Sequence, residues 1–146
     1  MKTILRLTFL LAAFAGLFAS VRAADTSVQG ILLTASNESG QTDRRLAQYE
    51  PTLRRILRFE SYHYIGEDSA NLSVPASGNL SLGDGHQLEI TTERADGKSI
   101  HVKVRWLSGG RTLMNTGLTL RPGVPAVLGG PAGSKGEVYA VILIGR

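Results

Sequence analysis

The sequence predicts a mainly β fold: a small antiparallel β-sandwich or flattened barrel of seven to nine strands, with one α-helix after the first strand. Three observations favour this fold. Apolar and polar residues alternate over residues 99–107, glycine-containing turn pairs separate the short runs, and a single segment repeats its apolar residues at helical spacing. The 146 residues contain no cysteine, so a hydrophobic core rather than disulfides must stabilise the fold.

The first 23 residues have the three parts of a secretory signal peptide. Their start is basic, residues 7–21 form a short apolar stretch, and small residues occupy the minus-three and minus-one positions of a cleavage site after Ala23. The stretch is shorter than the ~20 residues of a membrane-spanning helix, which favours cleavage over anchoring. We therefore expect a bacterial periplasmic or secreted protein, with residues 24–146 forming one domain that is not an integral membrane protein.

The net charge depends on this leader. The full chain carries +4, but Lys2, Arg6 and Arg22 lie in the leader and no acidic residue does, which leaves 13 basic against 12 acidic residues. Because this balance is nearly neutral, the high isoelectric point does not indicate nucleic-acid binding, and no nucleic-acid partner is expected.

The rest of the chain begins with an apolar strand over residues 28–36, followed by one helix over residues 42–58. Thr42 or Asp43 can cap the helix by accepting a hydrogen bond from a free backbone N–H. Pro51 lacks a backbone donor and predicts a split just before it. The apolar residues on one side of the 3.6-residue period are Leu46, Tyr49, Leu53, Ile56 and Leu57.

The opposite side of this helix is rich in arginine, and only Asp43 and Glu50 offset the charge nearby. Such a face can dock on acidic lipid headgroups, an acidic polymer or a partner protein. The alternative is a solvated face whose aliphatic stems cover neighbouring apolar atoms. The candidate binding arginines are Arg44, Arg54, Arg55 and Arg58.

Beyond the helix, the sequence reads as strands and turns. Asp96-Gly97 is the strongest hairpin signal, since both positions tolerate positive φ. Pro125 predicts an edge strand, and residues 129–136 a flexible loop. The predicted strands are residues 59–65, 71–74, 79–82, 87–93, 99–107, 112–120, 124–128 and 138–144, of which the last is apolar enough to be covered on both faces. The residues of the strand over 99–107 that are predicted to face inward are Ile100, Val102, Val104 and Trp106.

Two tyrosines complete the set of candidate binding residues. Tyr62 and Tyr64 lie two positions apart on one predicted strand, so their rings share a face. With Trp106, an exposed pair would form a platform for a sugar or a lipid, whereas buried rings would complete a core.

Catalytic and metal-binding signatures are weak. His63, His86 and His101 do not have the mutual spacing of a zinc site, so no metal and no cofactor are predicted. His63 and His86 lie near carboxylates and would be the bases of a hydrolase, but a Gly-x-Ser-x-Gly elbow and a thiol are missing. Residues 129–136 lack the residue order of a phosphate-binding loop. These observations predict a protein that is not an enzyme.

Three segments resemble small exported bacterial β-rich proteins of unassigned function. They are residues 43–66 (DRRLAQYEPTLRRILRFESYHYIG), 88–91 (LEIT) and 123–130 (GVPAVLGG), and the order of leader, strand, Arg/Leu-rich helix, meander and final apolar strand is similar too. The resemblance implies the same fold and no catalytic residue. Residues 127–130 (VLGG) are also similar to a strand–turn element of outer-membrane secretion channels, the rest of whose pattern is absent.

The sequence as a whole predicts an exported, non-enzymatic interaction or accessory module of the bacterial cell envelope, with an envelope protein or an acidic surface as partner. The alternatives are a carbohydrate- or lipid-binding β-sandwich domain, an accessory component of a secretion system, and a hydrolase. Peptide capture by strand addition needs an uncovered sheet edge, and Pro125 protects the strand predicted at the edge.

Overall fold

The computed structural model describes residues 26–146, so the predicted signal peptide over residues 1–23 lies outside the described residues. The described part contains a short helical segment and eight antiparallel strands, which confirms the predicted fold class. The elements are β1 Thr26–Ser36, a 3-10 helix Arg44–Tyr49, α1 Glu50–Leu57, β2 Ser61–Leu72, β3 Ala76–Gly83, β4 His86–Asp96, β5 Ser99–Ser108, β6 Arg111–Leu120, β7 Ala126–Ala132 and β8 Val138–Gly145.

The strands form two four-stranded sheets. Sheet 1 has the order β2-β1-β8-β7, and sheet 2 has the order β3-β4-β5-β6. The inner faces of the two sheets enclose the first hydrophobic core, to which the alternating residues of β5 contribute as predicted. The four inward residues predicted for β5 are all buried: Ile100, Val102, Val104 and Trp106.

The outer face of sheet 1 is covered as well. The 3-10 helix and α1 lie across it and enclose a second core, in which Leu46 and Leu53 are clustered with β1 and β8 residues such as Ile31 and Ile142. Sheet 1 is therefore the middle of three layers. This arrangement explains why β1 is buried over most of its length and why β8 is a nearly continuous apolar run, and it confirms that β8 is covered on both faces.

The helical segment splits just before Pro51, as predicted. Asp43 caps the 3-10 helix by accepting a 3.1 Å hydrogen bond from the backbone N–H of Arg45, and Pro51 opens α1. Ile56, which the spacing places on the apolar side of the helix, is 48% exposed. In an α-helix of eight residues, the buried stripe centres on Leu53 and Leu57, and Ile56 lies about 60° outside Leu53 around the axis.

Three strand predictions need correction. Residues 59–65 and 71–74 belong to one long strand, β2, which continues through a bulge opposite Leu32/Leu33. β7 extends to Ala132 through the glycines predicted to form a loop, with an irregularity in its pairing to β8 between Gly129 and Ala132. Residue 130 has to be a glycine because a Cβ there would overlap the ring of Trp106. Glycine therefore serves close packing there rather than flexibility.

The hairpin between β4 and β5 forms as predicted, but for a different reason. Neither Asp96 nor Gly97 has a positive φ. The Asp96 carboxylate instead closes the turn by accepting hydrogen bonds of 2.8 and 2.9 Å from the backbone N–H groups of Lys98 and Ser99. These bonds hold the pKa of the Asp96 carboxyl below its ordinary value.

Candidate binding surface

The arginines singled out in the sequence lie on the solvent side of the helical layer. We call this surface, made of the four predicted arginines and Ile56, the arginine face. Arg54 is engaged there, since it donates 2.9 Å hydrogen bonds to Glu50 and to the backbone oxygen of Glu60. The other three arginines of this face form neither an ion pair nor a side-chain hydrogen bond within residues 26–146. They are Arg44, Arg55 and Arg58.

A rigid base supports the arginine face. Leu46 and Leu53 point away from it and are fully buried in the second core. The charged groups therefore project from backbone that is held against sheet 1, so the backbone does not have to be ordered when a partner binds. Preorganisation of this kind lowers the entropic cost of association.

The two candidate tyrosines share a face of β2, as predicted, but they have different environments. Tyr62 is 0% exposed, and its hydroxyl exchanges hydrogen bonds with the backbone of Phe59, at 3.1 and 3.2 Å. Tyr64 is half-buried, and the Arg45 guanidinium lies 4.3 Å from its ring centroid. Tyr62 thus closes the connection between α1 and β2, and its ring cannot meet a ligand.

Trp106 is also fully buried, so a platform built from it and the two tyrosines does not exist. The outer face of sheet 2 instead has a shallow depression of about 400 Å³ beside Gly117, bordered by Arg94, His101 and Thr119. This depression is mostly polar, and its lining contains no Phe, Tyr or Trp ring. The carbohydrate-binding alternative therefore lacks the stacking surface on which it was based.

The histidines occupy three separate places. His63 is exposed on β2 at a depression of about 200 Å³ that includes Glu38 and Glu137, and His101 lies 3.1 Å from the Thr119 hydroxyl. In the described part of the chain, His, Asp and Glu side chains nowhere form a group of three that could hold a metal ion.

His86 belongs to a buried cluster that sequence reasoning missed. The indole of Trp106 donates a 2.9 Å hydrogen bond to its Nδ1, and the Tyr139 ring stacks on it with centroids 4.6 Å apart. The Tyr139 hydroxyl in turn donates to Asp84 at 3.1 Å. Since an indole can only donate, Nδ1 is unprotonated and the neutral ring carries its proton on Nε2. Proximity of Asp84 in sequence was the one signal for this cluster.

The cluster makes folding stability depend on pH. Burial lowers the pKa of His86, and the Asp84 charge partly opposes that change. In the unfolded chain the His86 imidazole titrates near pH 6.5, as an ordinary histidine does. As pH falls below that value, the unfolded state therefore binds a proton that the folded state does not, and stability decreases.

We expect the urea concentration at the unfolding midpoint to decrease as the pH is lowered from about 7.5 to about 5.5. The His86→Gln variant should lose the part of this pH dependence that His86 causes. A glutamine oxygen can still accept from Trp106 but does not titrate. His101→Gln, at the partly exposed histidine, is the control and keeps the slope. An unchanged slope in His86→Gln would show that His86 does not bind the proton.

The glycine-rich connection between β7 and β8 is closed by an acidic residue. The Glu137 carboxylate accepts a 3.0 Å hydrogen bond from the backbone N–H of Lys135. A carboxylate therefore occupies a backbone donor that a phosphate would need, and a strand rather than a helix follows. This connection joins two strands, as the sequence predicts.

Within residues 26–146, neither helix has the length and apolar character needed to cross a membrane.

The candidate site consists of the arginine face, and the polar face of sheet 2 lies on the opposite side of the molecule. The resemblance to small exported bacterial proteins stays a prediction. A comparison with known proteins leaves the chain without a match among protein-family models, curated proteins and solved structures.

Proposed function

We propose that the protein is an exported, non-enzymatic interaction module of the bacterial cell envelope that docks through its arginine face on an anionic membrane surface. The observation that carries this proposal is the combination of three unpaired arginines with the exposed side chain of Ile56 on a rigid layer. Basic residues next to an exposed apolar side chain match the charged headgroups and the apolar boundary of a lipid surface.

The expected strength follows from the number of charges. A basic residue close to an anionic lipid surface contributes about 1 kcal/mol, and salt screens that attraction over about 8 Å at physiological ionic strength. Three arginines thus support reversible binding that weakens as salt increases.

Cosedimentation with vesicles tests the proposal. We expect binding to vesicles rich in phosphatidylglycerol and none to vesicles of phosphatidylcholine. Reversing two charges, in Arg44→Glu with Arg55→Glu, should weaken binding more than tenfold, because it removes two attractions and adds two repulsions. The melting temperature should stay nearly constant, since both arginines are exposed and unpaired.

The matched control reverses the same charge elsewhere. Lys98→Glu with Lys103→Glu changes the net charge equally on sheet 2, away from the helical layer, and should retain vesicle binding. Equal losses in both double variants would show that net charge alone governs binding. Binding to polyglutamate without binding to anionic vesicles would contradict the lipid surface and favour an acidic protein partner.

A further inference from the structure

The two sheets have four edge strands, and three of these edges are protected. β2 and β3 cover one another, since Leu82 places its backbone oxygen against Gly66 and Ser81 donates a 3.0 Å backbone hydrogen bond to the Asp68 carboxylate. β7 contains Pro131 and directly follows Pro125. Prolines and side-chain bonds of this kind keep an edge from pairing with another chain.

The fourth edge, β6, has no such protection. The strand spans Arg111–Leu120, contains no proline, and is uncharged between its first residue and Arg121. A bulge lies at Leu113, but Met114 and the residues after it pair regularly with β5. Within residues 26–146, the backbone of β6 bonds to β5 alone, so its outer row of donors and acceptors faces solvent.

An apolar slot opens beside this edge, between β6 and β7. It has a volume of about 220 Å³, and Leu113 and Met114 form one wall while Gly129, Gly130 and Pro131 form the other, with Trp106 at the base. Gly130 supplies no side chain to fill it, and a Cβ there would already overlap the Trp106 ring. Since an apolar cavity of about 150 Å³ takes a benzene molecule, the slot has room for one large apolar side chain.

From this geometry we infer that β6 is a docking edge for an extended peptide of a partner protein. The peptide adds a fifth strand to sheet 2, and its backbone bonds to the free edge of β6. One apolar side chain on its inner face enters the slot. Gly117, in the middle of β6, lets the added backbone approach closely because it has no side chain on the outer face.

Charge decides which kind of strand fits. Arg111 and Arg121 stand at the two ends of an uncharged run, so the peptide should carry acidic residues at both ends. A second copy of the chain fits poorly: antiparallel pairing of β6 with itself about Thr116 would place Arg111 of one copy opposite Arg121 of the other. Like charges placed opposite each other destabilise strand pairs.

A synthetic nine-residue peptide, Glu-Thr-Val-Thr-Phe-Thr-Val-Thr-Glu, is the probe. Titration calorimetry and the fluorescence of Trp106, the single tryptophan of the chain, report its binding. We expect saturable binding, and at least tenfold weaker binding of the same peptide with lysine at both ends. Absence of binding at millimolar peptide, or equal binding of both peptides, would overturn the inference.

The matched variants place one lysine on different edges. Thr116→Lys puts a charge on the inward face of β6, where Thr116 lies opposite Val104, and should abolish peptide binding. Asn79→Lys on the covered edge strand β3 should retain it. Leu113→Lys, at the mouth of the slot, is a second blocking variant in case Thr116→Lys does not fold.

Two further outcomes decide between partners. A concentration-dependent dimer in analytical ultracentrifugation that Thr116→Lys dissolves would assign the edge to a second copy and overturn the peptide. The double variant Arg44→Glu with Arg55→Glu should bind the peptide as well as the unchanged protein does, because the arginine face lies on the helical layer and β6 lies in sheet 2. Loss of peptide binding in that variant would contradict docking at β6.

Discussion

Replacing Ile142 with aspartate is expected to lower the free energy of unfolding by about 4 kcal/mol or more. Ile142 is fully buried in the second core, and its strand neighbours Ile31 and Val127 offer only apolar side chains. A carboxylate there would lose its water without gaining a partner. At about 4 °C per kcal/mol for a domain of this size, the melting temperature should fall by about 15 °C.

The control is the same substitution at a solvent-exposed isoleucine. Ile56→Asp introduces an identical charge at a residue that is 48% exposed. Its effect on stability should stay below about 1 kcal/mol, as is usual for surface substitutions. If Ile142→Asp melted like Ile56→Asp, the helical layer would not cover sheet 1 in the way described.

Gly66→Ala is expected to be the second most damaging substitution, with a loss of about 3 kcal/mol. A methyl group at Gly66 would overlap the backbone oxygen of Leu82, where β2 crosses β3. That oxygen cannot move aside freely, because the Leu82 side chain is buried in the first core. The two strands would have to separate, and urea unfolding measures the loss.

Gly117→Ala provides the comparison, since it adds the same methyl group to another strand glycine. The nearest atom to that methyl is the backbone oxygen of Val102, at an ordinary contact distance of 4.0 Å. We expect no loss, or a gain of about 0.5 kcal/mol from reduced freedom of the unfolded chain. Equal stability of the two alanine variants would contradict the close approach of β2 and β3.

Much of the fold could be predicted because its signals are local. The alternation in β5, the continuous apolar run of β8 and the position of Pro51 each constrain the backbone within a few residues. The errors occurred where distant residues decide. Gly130 reads as a loop residue in the sequence, but it is a glycine because Trp106 leaves no room for a side chain, and a sequence alone does not reveal that neighbour.

The candidate site was predicted less completely. Spacing placed the arginines on one solvent-facing side of the helical segment, and there the structure agrees. The prediction did not distinguish the engaged Arg54 from the unpaired Arg55, although Glu50 lies four residues before Arg54 at the spacing of a helical ion pair. Only the second bond of Arg54, to the backbone oxygen of Glu60 in the following loop, depends on the fold. The prediction also did not separate Tyr62 from Tyr64, whose exposures differ because the Tyr62 hydroxyl is bonded to the backbone of Phe59.

The amino-acid sequence by itself determined the β class, the single helical segment and the residues of the central strands that face inward. Those features follow from periodicity and from turn residues, which act on neighbours in the chain. The tertiary structure alone decided that the helical segment covers the outer face of sheet 1, that Trp106 bonds to His86, and that β6 is the edge left open. Each of these depends on which strands pair, and pairing joins residues that lie far apart in the chain.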